Sequence, residues 1–245
     1  MAKNENVFLP IWLRHYSQFF SSADIFVLDH ESDDGSIEEC RARFDFNCLR
    51  VEHPYFCDFV WYTNVIAGTF TKLLEVYENV LFSEPDEIIW HPQGLDRYIQ
   101  SFSRDAICAT GYEIHHKPRE EAAIDPNQPI LGQRRWWNHN PRFSKPLLGK
   151  IPILWNSPGF HTADNCSEND PELLLLHLHR MDYDLCRAKH ERSARYKWDK
   201  MSLEKGWGAY NQEFGREFDR WYWEGSLVGN EIVEIPEELR KDPPV

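Results

Sequence analysis

Two kinds of apolar spacing alternate along the first third of this chain. Phe8, Trp12, Tyr16 and Phe19 recur at helical intervals and predict an amphipathic helix over 7–20 with one buried stripe. Asn6 is placed to cap it, and Pro10 is tolerated in its first turn. Short, unbroken apolar runs bounded by turn residues, at 25–28, 48–51 and 80–82, predict buried strands. Between the first two, Ser36 opens a helix through Glu38 and Glu39 toward Phe44. Helical spacing over 62–78 leads into the third. Strand and helix in alternation favour a doubly wound, mostly parallel α/β sheet with flanking helices.

Further on, the pattern predicts a short helix over 94–103 and a strand over 106–115. The Pro- and charge-rich segment 118–129 reads as a mobile loop over a site. Phe214, Phe218, Trp221 and Tyr222 make 211–223 an aromatic amphipathic helix that packs on the domain. Its rings also leave peripheral membrane contact open, although the polar face lacks the expected basic residues. No stretch marks a linker, so residues 1–245 read as one domain with a helical extension from about 199.

Charge narrows the partners. With 27 basic and 40 acidic residues the net charge is −13, which disfavours nucleic acid and anionic surfaces. An anionic ligand would therefore need a metal or local cations. The cluster Arg134-Arg135-Trp136-Trp137 fits base stacking, sugar stacking or a core Trp pair; the overall acidity argues against the first. No stretch is long and apolar enough to span a bilayer, and no signal peptide is visible. The six cysteines are scattered without a C-x-x-C pair, which suits a reduced, cytoplasmic protein.

The densest candidate chemistry lies in Val-Leu-Phe-Ser-Glu-Pro-Asp-Glu-Ile-Ile-Trp, residues 80–90. Pro85 forces a turn between Glu84 and Asp86 at a strand mouth, where two carboxylates can converge on one hard cation. The same residues also suit a solvated acidic turn. His177 and His179 end an apolar run two residues apart, on one side of a strand. Arg180, Arg187, Lys189, Arg192, Arg195 and Lys197 form a basic segment, either a solvated helix face or a phosphate contact.

Four stretches in order resemble nucleotide-sugar-dependent glycosyltransferases of the family 2-like group, which have a GT-A fold. They are Lys3-Asn4-Glu5, the strand and acidic turn over 26–36, Glu84-Pro85-Asp86-Glu87, and Leu173 to His179. The resemblance implies transfer of a sugar from a nucleotide-sugar donor to a hydroxyl acceptor (glycan, lipid or protein). It places the nucleotide at Lys3, Asn4, Glu5, Asp29 and Asp34. It places manganese or magnesium at Glu84 and Asp86, with His177 preferred over His179 as the third ligand. Glu84, longer than the family's Asp, binds the metal directly, through water, or holds the ribose. His161 or Asp164 in Gly159-Phe160-His161-Thr162-Ala163-Asp164 would be the general base, or would bind acceptor or phosphates. Only Met1 and Ala2 precede the first motif, where the family keeps a strand. Two other functions remain open: a degenerate, non-catalytic sugar- or nucleotide-binding module, and a metal-dependent phosphohydrolase.

Overall fold

The computed structural model describes residues 1–224 and 231–241. The part of the expected C-terminal extension at 225–230 and 242–245 lies outside the described residues. Helix α1 spans Phe8–Tyr16, shorter than its pattern, and buries Phe8, Leu9, Ile11, Leu13 and Tyr16. Strand β1 (Phe26–Asp29), helix α2 (Ser36–Arg41) and strand β2 (Asn47–Arg50) form one right-sized crossover unit. Its two strands pair in parallel, Phe26 opposite Asn47 and Asp29 opposite Arg50. Ala2 adds a single parallel bridge on the other edge of β1, opposite Asp29. Helix α3 (Phe59–Leu73), capped by the Asp58 carboxylate on the Trp61 N–H, then leads to β3 (Val80–Leu81).

From β3 onward the expected GT-A-like, doubly wound and mostly parallel sheet is not what the chain forms. The remaining strands are β4 (Glu87–Trp90), β5 (Ala106–His115), β6 (Trp136–His139), β7 (Pro146–Gly149), β8 (Asn169–His177) and β9 (Val233–Glu234). With β3 they make a seven-stranded, mostly antiparallel sheet, and β1 and β2 stand apart as a two-stranded parallel one. Only β5 and β8 run parallel within the larger sheet among the described residues. The reason lies in the connections. A parallel neighbour needs a crossover long enough to return over a sheet face, usually a helix. After Trp90 the links are a seven-residue helix α4 (Leu95–Ser101) and loops with short helical turns, and the strands they join pair mostly antiparallel, β5 with β6 and β7, β7 with β3, and β4 with β8.

Strand β5 is the axis. Its first half pairs with β7, its second half with β6, and its other edge with β8, which in turn pairs with β4. Gly111 sits where the 3-10 turn Pro141–Phe143 crosses β5: a Cβ there would lie 2.3 Å from the Phe143 carbonyl carbon. The main core joins α1, β4, β5 and β8 through Ile88, Ile89, Ile107, Ile114, Leu175 and Leu176. The short helix α5 (Ile130–Gln133) precedes β6, helix α6 (Tyr183–Ser193) follows β8, capped by Asp182, and beyond α7 (Lys200–Glu204) helix α8 (Gly215–Glu224) packs Phe218 and Tyr222 against Cys186.

The Arg134–Trp137 cluster is structural. Arg134 is buried and donates to Asp182 and to the Met181 and Ala122 carbonyls, while Trp137 stacks on Tyr112. Arg135 pairs with Glu234 on the surface, and the Lys117 ammonium lies over the Trp136 ring. The 118–129 segment is tied to α1 by Arg14, which donates to the Pro126 and Gln128 carbonyls. No helix of the described residues is long and apolar enough to cross a membrane.

Candidate functional site

The turn between β3 and β4 carries Glu84, Pro85 and Asp86 to one wall of a cavity of about 170 Å³. The end of β8, the first turns after it and helix α6 supply the opposite wall through His177, His179 and Lys189. Lys3, Glu5, His30, Tyr62, Phe143, Lys145, His161 and Tyr210 complete the lining.

The acidic pair is split between two lysines. Glu84 lies 2.7 Å from the Lys145 ammonium, and Glu87 also pairs with it; Lys145 and Glu87 are fully enclosed. Burial alone would lower the lysine, but Glu84 and Glu87 outweigh it and hold Lys145 charged above its usual range. Burial tends to raise Glu84, and Lys145 brings it below the ordinary carboxylate value. Glu87, with no exposed surface, is pushed up. Two carboxylates thus share one cation, and Glu84 is used structurally where the sequence suggested a metal ligand.

Asp86 is differently placed. Its Oδ2 lies 3.0 Å from Lys189 and 3.2 Å from His179 Nδ1. Lys189 also pairs with Glu5 at 3.0 Å. Burial would raise Asp86, yet Lys189 and the two histidines hold it well below its usual value. Asp86, His177 and His179 each offer one ligand atom, all within 4.8 Å of one another. The two imidazoles are parallel, 5.7 Å apart, and His177 is backed by Phe143 at 3.9 Å. His177 and His179, between which the sequence preferred His177, both stand beside Asp86.

The Glu213 carbonyl, His190, His179 and Asp86 form one chain of contacts: His190 Nδ1 lies 3.3 Å from the Glu213 carbonyl, the two Nε2 atoms lie 2.9 Å apart, and His179 Nδ1 lies 3.2 Å from Asp86 Oδ2. Each neutral ring carries one proton, so two protons serve three contacts, and His179 Nδ1 is bare toward Asp86 when His190 keeps its proton on Nδ1. Burial keeps both rings neutral, with His179 down to about 4 and His190 to about 2. Lys189 stands 3.0 Å from Asp86 as a cation the carboxylate already has, and the three ligand atoms of Asp86, His177 and His179 lie close enough together to share a further one. The donor set fits a divalent ion, and one carboxylate with two imidazoles suits manganese better than magnesium. A second grouping, His179 with Cys186 and His190, shares His179. Its thiol is pushed up by burial among aromatic rings and its His190 nitrogen is already engaged.

The other expected site residues divide. Lys3 lines the cavity and donates to the Glu31 carbonyl at 2.6 Å; Glu5 lines it beside Lys189. Asn4 braces the acidic turn by bonding Ser32, Asp33 and Tyr196. Asp29 is buried at the end of β1 and accepts from the Ser32 N–H. Asp34 is exposed and accepts from the Ser36 N–H. Neither lines the cavity. His161 does, with Nδ1 buried and without a hydrogen-bond partner, and burial lowers it to about 4. Gly159 at φ 70° and Phe160 at φ 62° turn the chain to place that ring. Asp164 instead lies on an exposed turn bonded to Asn156, outside the cavity.

Lys145 and His190 were not foreseen. A lone lysine entering the apolar run Pro146-Leu147-Leu148 was the available signal for the first. His190 falls on the face of α6 that also carries Cys186, within a segment whose charge suggested solvent. No protein-family model matches the chain, and comparison with curated proteins finds no match.

Proposed function

We propose that this chain is a divalent-cation-dependent transferase that moves a sugar from a nucleotide-sugar to a hydroxyl acceptor. The observation that carries the reading is the convergence of one ligand atom each from Asp86, His177 and His179 within 4.8 Å, in a cavity that also holds lysines and His161. The ordered likeness of the four motifs supplies the choice of donor. Asp86, His177 and His179 would hold the cation, which when bound would neutralise charge on a diphosphate leaving group. Lys3 stands at the same cavity to meet further phosphate charge. His161, neutral near pH 7, is the group that would accept the hydroxyl proton of the acceptor. Six free cysteines suit the reducing compartment this reading assumes; Cys108 and Cys166 Sγ lie 3.4 Å apart without a bond.

A second reading rests on Lys189. Its ammonium already occupies the Asp86 carboxylate, as a resident cation would. A chain that binds a nucleotide-sugar without turning it over would look like this.

Thermal unfolding with nucleoside diphosphates, with manganese or with chelator, tests both. The diphosphate should stabilise only with the metal, by about 2.7 kcal/mol at roughly a hundred times its Kd. Asp86→Asn should abolish that difference and lower turnover by orders of magnitude. Equal stabilisation with chelator would remove the cation from the reading. Metal-dependent binding without turnover of any nucleotide-sugar would leave the binding module.

A further inference from the structure

A cavity larger than this site, an apolar slot of about 340 Å³, lies between the two sheets. One side is β1, contributing Ile25 to Leu28, and the other is β3, contributing Val80 to Phe82. Trp12, Tyr16 and Phe20 from α1 and just beyond it close one face, and Ile66, Phe70 and Leu73 of α3 close the other. Two strands flanking a gap, with a helix on each face, have the layering of a sheet that lacks one strand.

The backbone supports that reading. In β1, the residues that bond β2 are fixed by Asn47 N–H to the Ile25 carbonyl and Val51 N–H to the Asp29 carbonyl. Alternation then puts the N–H and C=O groups of Phe26 and Leu28 on the slot edge. Ala2 uses the far end of that edge, donating to the Leu28 carbonyl and accepting from the His30 N–H. In β3, Phe82 N–H bonds the Leu147 carbonyl, so Leu81 presents its backbone groups away from β7. Among the described residues, neither β1 nor β3 has a strand partner on the slot side beyond the single Ala2 bridge. Asn79, at the start of β3, lines the slot with a buried Oδ1 that has no hydrogen-bond partner.

We propose that this slot is a docking site for an extended apolar peptide strand, running parallel to β1 and in line with the Ala2 bridge. Such a strand supplies what a compact apolar ligand cannot: backbone donors and acceptors at strand spacing toward both edges, with apolar side chains toward both helices. Opposite residues 25–28, at roughly 3.3 Å per residue, it holds about four to five residues. Both faces are covered, so its residues should be continuously apolar and β-branched. This inference stands apart from the sugar-transfer reading, because it uses none of the residues assigned there.

The test offers the wild-type chain an apolar, valine-rich strand of about six residues. It is given as a free peptide and, to raise its effective concentration, as a segment fused ahead of Met1. The control replaces alternate residues by proline, which cannot donate to a ladder. The valine strand is expected to raise the melting temperature by several degrees and to slow hydrogen exchange at the Phe26, Leu28 and Leu81 amides. The proline version is expected to do neither. Equal stabilisation by both would mean the slot takes apolar bulk, and no protection of those amides by the fused strand would mean no strand docks; either result overturns the proposal.

Discussion

Individual side chains decide whether this cavity can hold a cation. The chain of contacts from the Glu213 carbonyl through His190 to His179 leaves His179 Nδ1 bare toward Asp86 when His190 keeps its proton on Nδ1. His190→Phe keeps the ring volume but removes the nitrogen that would accept from His179 Nε2–H. The imidazole is then free to turn its proton toward Asp86. Manganese affinity, measured by calorimetry, should fall about 10- to 100-fold, as for other partners of metal-binding histidines. Unchanged affinity would mean that His190 packs but does not position. Lys145 tests the other half of the site. Lys145→Met leaves Glu84 and Glu87 without their counter-charge, and a buried uncompensated charge costs about 3–5 kcal/mol. The urea midpoint should drop accordingly, and adding Glu87→Gln should recover much of it. The sequence singled out Asp86 in the acidic turn between two apolar runs and His177 at the end of one, and the fold sets both at one cavity. Lys145, which pairs with Glu84, lies far away in the chain, and only the fold brings the two together.

Secondary-structure elements explain both the successes and the main error of the sequence reading. Strand β5 was predicted to the residue, since Ala106–His115 is a long run bounded by polar segments. The β1–α2–β2 crossover was legible too, because its strands and helix follow one another at short range. The mostly parallel sheet was inferred from the alternation up to Val80, but β3 pairs antiparallel with β7 instead of joining β1 and β2, and past Trp90 the helices between strands become short. Apolar periodicity does not encode strand direction; the length of the connection does. One position joins an element to the site. A Cβ at Gly111 would meet the backbone of Phe143, whose ring backs His177 at 3.9 Å. Gly111→Ala should therefore push the Pro141–Phe143 turn off β5, costing about 1–3 kcal/mol by overpacking. Thermal unfolding measures that cost, and manganese affinity should weaken in the same variant. If stability falls while affinity holds, the turn adjusts without moving Phe143.

Across the whole molecule, the acid limit of stability follows from how many ionisable groups are folded away in their neutral form. Burial lowers His161 and His179 to about 4 and His190 to about 2. An unfolded histidine titrates near 6.5, so between those values the unfolded chain binds more protons than the folded one. The stability these three contribute is present above about pH 6.5 and is lost as pH falls toward 4, and toward 2 for His190. Each contributes a slope of up to about 1.4 kcal/mol per pH unit within its window. Three carboxyls work the other way. Burial raises Glu5, Glu87 and Glu213, so the folded chain holds their protons above the ordinary carboxylate range, and their contribution falls as pH rises through it. Three deeply lowered histidines should outweigh them over the upper part of the range. Urea midpoints taken from about pH 7.5 down to about pH 5 should decline steadily. His190→Phe should flatten that decline, because one proton-binding difference between the states is gone. A profile level across the range would show that these rings are protonated in the folded protein, and the neutral His179 ring that the cation reading requires would go with it.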